Sequence, residues 1–202
     1  MADESKGTNY AKLALGAGLL AAAAIGVAAF VPRKKLACIT EPVANLLGEA
    51  CALAALVGSN LKFEGRLIVE ARGAGAVRYV VADYDTSGGL RGYCRFDPEE
   101  VAAVSGGFQR PGARSLLGEG AFMMTVDQGP DMDRYQGVTS IEGETLALCA
   151  EQYFAQSEQT PTRVRLAVGA DPGAWRAGGF MIQHIAGDAA RGATVWVTLE
   201  PC

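Results

Sequence analysis

The clearest hydrophobic pattern in the chain is a helical one that begins just after residue 40. In EPVANLLGEACALAALVGS, residues 41–59, apolar side chains recur every three or four positions, which is the spacing of one helix face. Pro42 suits the first turn, where a missing N–H costs nothing, and Gly58, Ser59 and Asn60 end the pattern. The helix is predicted to bury Val43, Leu46, Leu47, Ala50, Leu53 and Ala54.

Beyond residue 60 the period of the apolar positions shortens to two, which is typical of half-buried strands. In the first such run, Leu67 and Val69 point to one face. Lys62 and Glu64 point to the other face, and Gly65 marks a bulge. Glycine-rich turns separate the runs, so neighbouring strands are expected to pair antiparallel. Strands are predicted at Leu61–Arg72, Val77–Asp83, Leu90–Phe96, Ala121–Asp127, Tyr135–Ile141, Arg163–Val168 and Gly178–Ile185.

Two further helices are predicted, and with the strands they give an α+β fold, a mostly antiparallel β-sheet packed with a few helices. DPEEVAAV, residues 97–104, begins with the capping residue Asp97. An amphipathic helix enters LCAEQYFAQSEQTPTR, residues 148–163, and Pro161 ends it by keeping Thr160 out of the helical region. Its buried face is predicted to hold Leu146, Cys149, Ala150, Tyr153, Phe154 and Ser157. Its polar face is predicted to hold Glu144, Glu151, Gln152 and Glu158.

The composition is that of a globular protein. Hydrophobic residues make up 50% of the 202 positions and charged residues 20%, which is enough apolar material for a sizeable core. The net charge of -4 gives no general attraction to nucleic acid, so no nucleic-acid partner is expected. We predict an atypical N-terminal segment over residues 1–40 and one domain over residues 41–202.

The N-terminal segment contains an uncharged apolar run, LALGAGLLAAAAIGVAAFV, at residues 13–31, which is about long enough to cross a bilayer. Three interpretations stay open. The run is a membrane anchor with the domain on the cytoplasmic side, because the basic cluster Arg33, Lys34 and Lys35 follows it. Alternatively it is a secretory signal, or a segment foreign to the domain, such as the product of a misjoined reading frame.

Neither enzyme chemistry nor a metal site finds support in the residues. The five cysteines have wide, irregular spacings without a C-x-x-C or C-x-C pair, which suits a reducing compartment and gives no zinc site or other cofactor site. The single histidine, His184, lies in an apolar run typical of a strand. Asp127, Asp131 and Asp133 lack the glycine and glutamate of a calcium loop. With no phosphate-binding glycine motif and no G-x-S-x-G, no catalytic, cofactor-binding or metal-binding residue is predicted.

Four long stretches of the sequence are similar to one known family. They are EPVANLLGEACALAALVGSNLKFEGRL, LRGYCRF, DQGPDMDRYQGVTSIEGETLALCAEQYFAQSEQTPTRVRLAVG and WRAGGFMIQHI. The joined patterns R-Y-Q-G, E-G-x-T-L and Y-F-x-x-S-E-Q-x-P-T-R are long and specific. On these residues the chain resembles the N-terminal core domain of the 33 kDa chaperonins, which are redox-regulated heat-shock holdases, over most of positions 41–186.

The resemblance implies a function that needs no reactive side chain. Members of the family bind unfolding polypeptides and keep them from aggregating without hydrolysing nucleotide, because exposed apolar surface on the chaperone meets exposed apolar surface on the client. Tyr153 and Phe154 are expected to pack inward, and Glu158 and Gln159 to tie the helix end to the following turn. The family-motif residues, expected to be mainly structural, are Lys62, Glu64, Gly65, Arg134, Tyr135, Gln136, Gly137, Glu142, Gly143, Tyr153, Phe154, Ser157, Glu158, Gln159, Pro161, Thr162 and Arg163.

The chain departs from the family pattern in two places. Family members carry a C-terminal zinc domain with C-x-C and C-x-x-C ligands, and its oxidation uncovers the client surface; this chain ends at Cys202, and none of its cysteines matches those ligands. Family members also begin with a strand and a helical segment, where this chain has the apolar run. The sheet is therefore expected to lack an edge strand and to expose an unpaired backbone row.

The function expected from the resemblance is an ATP-independent holdase of the cytoplasm whose client surface is uncovered without oxidation. Its partners are unfolded or partly folded proteins, and a homodimer is one of the oligomeric states left open. The alternative is a membrane-tethered interaction module without holdase activity. In that case residues 13–31 would anchor the domain to the cytoplasmic side of the inner membrane.

Overall fold

The computed structural model describes residues 10–12, 23–32, 39–61, 64–87, 89–106, 110–129, 132–171 and 174–184. Within these ranges the chain forms two antiparallel sheets and four helices, which confirms the predicted α+β class. The strands are β1 (Tyr10–Lys12), β2 (Ala23–Pro32), β3 (Arg66–Gly73), β4 (Val77–Asp85), β5 (Gly89–Phe96), β6 (Gly120–Asp127), β7 (Tyr135–Ser140), β8 (Thr162–Asp171) and β9 (Ala174–Gln183). The helices are α1 (Glu41–Gly58), α2 (Pro98–Ser105), α3 (Ala113–Leu117) and α4 (Leu146–Gln156).

The larger sheet has five strands in the order β5-β4-β3-β6-β7, with every neighbouring pair antiparallel. In the central strand Leu67 lies opposite Tyr84 of β4 and Val126 of β6. The alternating residues Leu67, Val69 and Ala71 are buried, so one face of this sheet covers the core. The predicted antiparallel meander of β3, β4 and β5 is confirmed.

The first strand of the meander begins at Arg66 rather than at the predicted Leu61. Gly65 is not a bulge but part of a bend before β3, where its N–H donates to Thr86 Oγ1 and its carbonyl accepts from the Thr86 N–H, both at 2.9 Å. These two bonds fix the start of the pairing with β4 close to the end of α1. The register shift of this sheet lies instead in β4, between Val77 and Tyr79.

The smaller sheet has four strands in the order β1-β2-β9-β8. β2 pairs antiparallel with β9 from Ile25 opposite Met181 to Pro32 opposite Ala174. This pairing corrects two expectations. Residues 23–31 belong to a strand rather than to a membrane-spanning helix, and β9 is paired on both sides instead of exposing its backbone, because β2 supplies the hydrogen-bond partners that a strand edge needs. Residues 13–22 of the predicted span lie outside the described residues.

The helix α1 packs against strands of both sheets and forms the centre of the core. All six residues of the predicted stripe are buried, and Ala52, Ala55 and Leu56 on other faces are buried as well. Within the described ranges α1 is also the one helix long and apolar enough to cross a membrane, with a mean hydropathy of 1.2 over 18 residues, of which 72% is buried inside the fold. Because α1 packs between two sheets, its residues are apolar on all faces and not only along one stripe.

The remaining helices differ in how well the sequence predicts them. α2 begins as expected, and the Asp97 carboxylate accepts the N–H groups of Glu99 and Glu100. α3 was not predicted; it is one short turn whose Leu116 and Leu117 are fully buried. α4 ends at Gln156, before the stop expected from Pro161.

The end of α4 is formed by the backbone rather than by the proline. Gln159 adopts a left-handed conformation with φ of 50°, and the Thr160 N–H donates to the Phe154 carbonyl at 2.9 Å. This is the geometry of a left-handed helix cap, which glycine usually provides. The turn brings Thr162, the first residue of β8, alongside the helix that precedes it.

Candidate functional site

A buried carboxylate on α4 holds the outer edge of β8. Glu151 is only 8% exposed, so its predicted place on the polar helix face is wrong. Its Oε1 accepts the Val164 N–H at 2.9 Å and the Arg165 guanidinium at 2.9 Å, while Oε2 accepts Arg163 at 2.7 Å. Because β8 has a strand partner only on its β9 side within the described sheet, the carboxylate occupies a backbone position that another strand would otherwise bind.

The charge of Glu151 is stabilised by these contacts. Burial alone would raise the pKa of its carboxyl, but the Val164 N–H and the guanidinium groups of Arg163 and Arg165 outweigh it and hold the pKa below its ordinary value. The sequence did contain a signal for this site. Arg163 and Arg165 alternate on one face of a strand that follows the helix closely, and two like charges on one face favour a nearby acidic residue.

A second cluster joins α4 to the start of β7. The hydroxyls of Tyr135 and Tyr153 both donate to Glu158 Oε1, each at 3.0 Å. Both phenols have a raised pKa. The main cause is burial for Tyr153 and the hydrogen bond to the Glu158 carboxylate for Tyr135. Glu158 was expected to tie the helix end to the following turn, where its carbonyl accepts the Thr160 hydroxyl at 3.1 Å. Its side chain in addition bridges the two tyrosines.

Glycine at position 137 makes this tyrosine cluster possible. A side chain there would begin 2.6 Å from the Tyr153 hydroxyl, so the phenol ring lies directly on the backbone of β7. The other sides of the ring meet Phe122 and Phe154 in edge-to-face contacts, with ring centroids 6.2 and 5.6 Å away. Tyr153 and Phe154 therefore lie in the core, 2% and 7% exposed.

The other family-motif residues lie mostly around these two clusters. Arg134 pairs with Asp127 at 3.0 Å, and Gln136 donates to Thr125 at 2.8 Å. Glu142 accepts from Ser140, and a side chain at Gly143 would begin 2.6 Å from the Cβ of Leu148. Ser157 follows the last residue of α4; Glu64 lies in the bend before β3, and Lys62 lies outside the described residues.

The smaller sheet exposes an apolar surface that the sequence did not single out. Phe180 and Ile182 alternate on the outer face of β9 and are 44% and 38% exposed. Opposite them on β8 stand Arg165 and Arg163. A groove of about 350 Å³ begins beside Ile182 and runs to α4; its lining residues are Glu151, Ala155, Pro161, Thr162, Arg163, Ile182, Gln183 and His184.

Comparison with known proteins places the chain in a family. The family model described as Hsp33 protein matches residues 33–195. The chain belongs to the Hsp33 family. Among Hsp33 relatives, the 33 kDa chaperonin of Caulobacter vibrioides (strain NA1000 / CB15N) is 84% identical over 158 residues, covering 76% of this chain and 52% of that protein. The 33 kDa chaperonin of Pseudomonas aeruginosa (strain LESB58) is 38% identical over 148 residues, covering 73% of this chain and 46% of that protein.

A solved Hsp33 structure agrees with the sequence matches. The crystal structure of the 33 kDa chaperonin from Thermotoga maritima superposes with a TM-score of 0.60 and 27% identity, over 75% of this chain and 51% of that one. The chain spans about half the length of the curated Hsp33 relatives it matches. The resemblance inferred from the motifs is thereby confirmed.

The zinc centre that the Hsp33 resemblance implies does not fit the cysteines that the structure describes. Cys51, Cys94 and Cys149 are thiols on three different elements, α1, β5 and α4. Across the described ranges no three His, Cys, Asp or Glu side chains lie close enough together to hold a metal ion. Cys38 and Cys202 lie outside those ranges.

Burial makes the described core thiols of this Hsp33 chain poor nucleophiles. Desolvation, with a smaller effect from Cys94, raises the pKa of Cys51 to about 11. Desolvation also raises the pKa of Cys149, which is fully buried. Both thiols are therefore protonated at neutral pH, and the thiolate is the reactive form. The nearby Glu49 likewise has a raised pKa from burial, opposed by the Leu146 N–H that it accepts at 3.0 Å.

Proposed function

We propose that this chain is an ATP-independent holdase that binds unfolded or partly folded proteins and prevents their aggregation. The observation that supports it most directly is the exposed pair Phe180 and Ile182, side by side on the outer face of β9. Family membership supports it as well, since the curated relatives are named 33 kDa chaperonins. Unfolded proteins are the proposed partners, in the cytoplasm, and no cofactor is proposed for this chain.

The physical basis is adhesion between apolar surfaces. Unfolding proteins expose apolar segments that are normally buried, and burying such a segment on Phe180 and Ile182 removes both surfaces from water. Arg163 and Arg165 stand opposite this apolar pair on β8, and both share the single carboxylate of Glu151. The remaining positive charge favours client segments in which acidic residues stand next to apolar ones.

Replacing Phe180 and Ile182 together by aspartate should weaken the holdase. We expect about three times more protein to be needed for half-suppression of aggregation, because charge on the outer face of β9 opposes burial of apolar client segments. The measurement is light scattering from a thermally unfolding client protein over a series of chain concentrations. Circular dichroism of the variant checks that it is folded.

The matched control is Val104→Asp together with Met132→Asp. These side chains are at least as exposed, 40% and 56%, but lie on α2 and in the loop before β7 of the larger sheet. The control variant should suppress aggregation as well as the unchanged chain. Equal loss in both variants would mean that general surface polarity, and not this face, determines client binding.

Peroxide should leave the holdase activity of the 202-residue chain unchanged. Cys51 and Cys149 are buried thiols with raised pKa values, so they react slowly with peroxide. The check is aggregation suppression before and after treatment with hydrogen peroxide, with thiol content measured by mass spectrometry. Activity that appears only after oxidation would contradict this part of the proposal.

Nothing in the described residues favours the membrane-tethered alternative. Its proposed anchor includes residues 23–31, which belong to β2 and pair with β9. The apolar helix α1 is buried in the core. The holdase is therefore the single function that we propose.

A further inference from the structure

The larger sheet ends at β5, which has a described strand partner on one side only. β5 is eight residues long and pairs only with β4. Just beyond β4, the backbone N–H of Thr86 donates to the Gly65 carbonyl on the β3 side. Because backbone hydrogen bonds alternate sides along a strand, the even-numbered residues of β4 bond to β3 and the odd-numbered ones bond to β5. Along β5 the backbone groups of Leu90 and Gly92 consequently point outward. Beyond the register shift the Asp97 N–H donates to the Ala76 carbonyl, so the backbone groups of Phe96 point outward as well.

This edge differs from the outer edge of β8. There the Glu151 carboxylate accepts the Val164 N–H, and two arginines flank it. Among the described residues, the side chains that accept a backbone N–H do so at positions other than Leu90 and Gly92. The β8 edge is thus occupied by a carboxylate, whereas no described residue occupies the β5 edge at Leu90 or Gly92, where a strand could be added.

The side chains of β5 favour a particular kind of partner. Arg91, Tyr93 and Arg95 stand on the outer face of the sheet, and Tyr93 is 61% exposed. Arg91 pairs with Asp83 at 2.6 Å, whereas Arg95 has no ion pair within the described part of the chain. Gly92, whose missing side chain leaves room for Cys51 and Leu47 of α1, also leaves the outward backbone unshielded.

We propose that the β5 edge binds an extended segment of a client protein as an additional strand of the five-stranded sheet. Backbone hydrogen bonds to Leu90, Gly92 and Phe96 would hold the segment regardless of its sequence, as a chaperone for many clients requires. Arg95 and Tyr93 would favour acidic and apolar residues in alternation. The inference rests on the proposed holdase function and assigns it a second mode of binding.

A peptide with selectively methylated amides tests this strand addition. The probe is a fluorescein-labelled nine-residue peptide of alternating valine and glutamate, compared with one N-methylated at its valines and one N-methylated at its glutamates. Only one set of amides can face β5 in an added strand. We expect one methylated peptide to bind at least about tenfold more weakly in fluorescence anisotropy, and the other to bind as the parent does. Equal affinities of the two methylated peptides, or no binding of the parent, would overturn the proposal.

Hydrogen exchange locates the binding site on the protein. Adding the parent peptide should slow exchange at the amides of Leu90, Gly92 and Phe96. The amides of Arg91 and Tyr93, already bonded to β4, should not change. Protection that appears elsewhere and not on β5 contradicts the proposal.

Reversing the charge of Arg95 tests how much this side chain contributes to peptide binding. Arg95→Glu should weaken binding of the glutamate peptide about threefold, and a peptide with lysine in place of glutamate should regain the loss. Aggregation suppression is measured on the same samples. If suppression is retained while the peptides fail these tests, the holdase proposal stands and the strand-addition proposal falls.

Discussion

Replacing Gly137 by valine will lower the free energy of unfolding by about 3 kcal/mol. A side chain at this position of β7 begins 2.6 Å from the Tyr153 hydroxyl and within contact of its ring. The ring cannot move aside, because Phe122 and Phe154 pack against it and Glu158 accepts its hydroxyl. Urea denaturation followed by circular dichroism measures the change.

Gly169→Val is the matched control for this substitution. Gly169 also lies in a strand, β8, but nothing stands within 4 Å of the position a side chain would begin. Valine there should leave stability unchanged or raise it slightly, since branched residues suit strands. If both variants lose stability equally, the packing of Tyr153 against the backbone is not the cause.

Replacing Glu151 by alanine will lower the free energy of unfolding by about 2 kcal/mol, mainly because the buried Val164 N–H loses its acceptor. The ion pairs themselves contribute less, since Arg163 and Arg165 are 74% and 61% exposed and water screens them. Glu151→Gln, which keeps an acceptor for the N–H, should lose about half as much. Chemical denaturation of the three proteins at neutral pH gives the comparison.

The same carboxylate predicts a dependence on pH. The pKa of Glu151 is lower in the folded chain than in the unfolded one, so its contribution is present above the unfolded pKa and is lost as pH falls through the folded pKa. The unchanged chain should therefore lose stability more steeply on acidification than Glu151→Gln. Parallel curves for the two proteins below neutral pH would show that the carboxylate is not the group responsible.

Local patterns in the sequence predicted those elements whose cause is local. The helix α1 follows from apolar residues at steps of three and four, and β3, β4 and β5 follow from alternation between glycine-rich turns. The start of α2 follows from Asp97 and the proline after it. In each of these elements, the residues whose pattern predicts the helix or strand are also the residues that it buries or uses as its cap.

Elements whose cause is distant in sequence were not predictable in this way. Periodicity identifies strands but not their partners, so it did not show that the strands divide into two sheets with α1 between them. Apolar and polar residues do not alternate in the run around β2, and the run forms a strand because it pairs with the edge of β9. α3, too short for a period, is fixed by burial of Leu116 and Leu117.

The candidate sites show the same limit. The motif that contains Tyr135, Tyr153 and Glu158 was recognisable as a family feature, but the bridge between two phenols and one carboxylate depends on β7 lying beside α4. Glu151 was assigned to solvent because a helical wheel has no information about a strand that folds back over it. Phe180 and Ile182 lay in an ordinary apolar run whose outer face nothing in the sequence marks.

The position of α1 has a consequence for how this molecule behaves towards copies of itself. Both sheets pack their apolar faces against this one helix, so the hydrophobic core is complete only when both sheets are in place. Loss of order in either sheet would leave this apolar helix uncovered on that side. An uncovered α1 would itself be a segment of the kind that the proposed holdase binds, so the two sheets must stay closed around the helix to keep copies of the chain from binding one another.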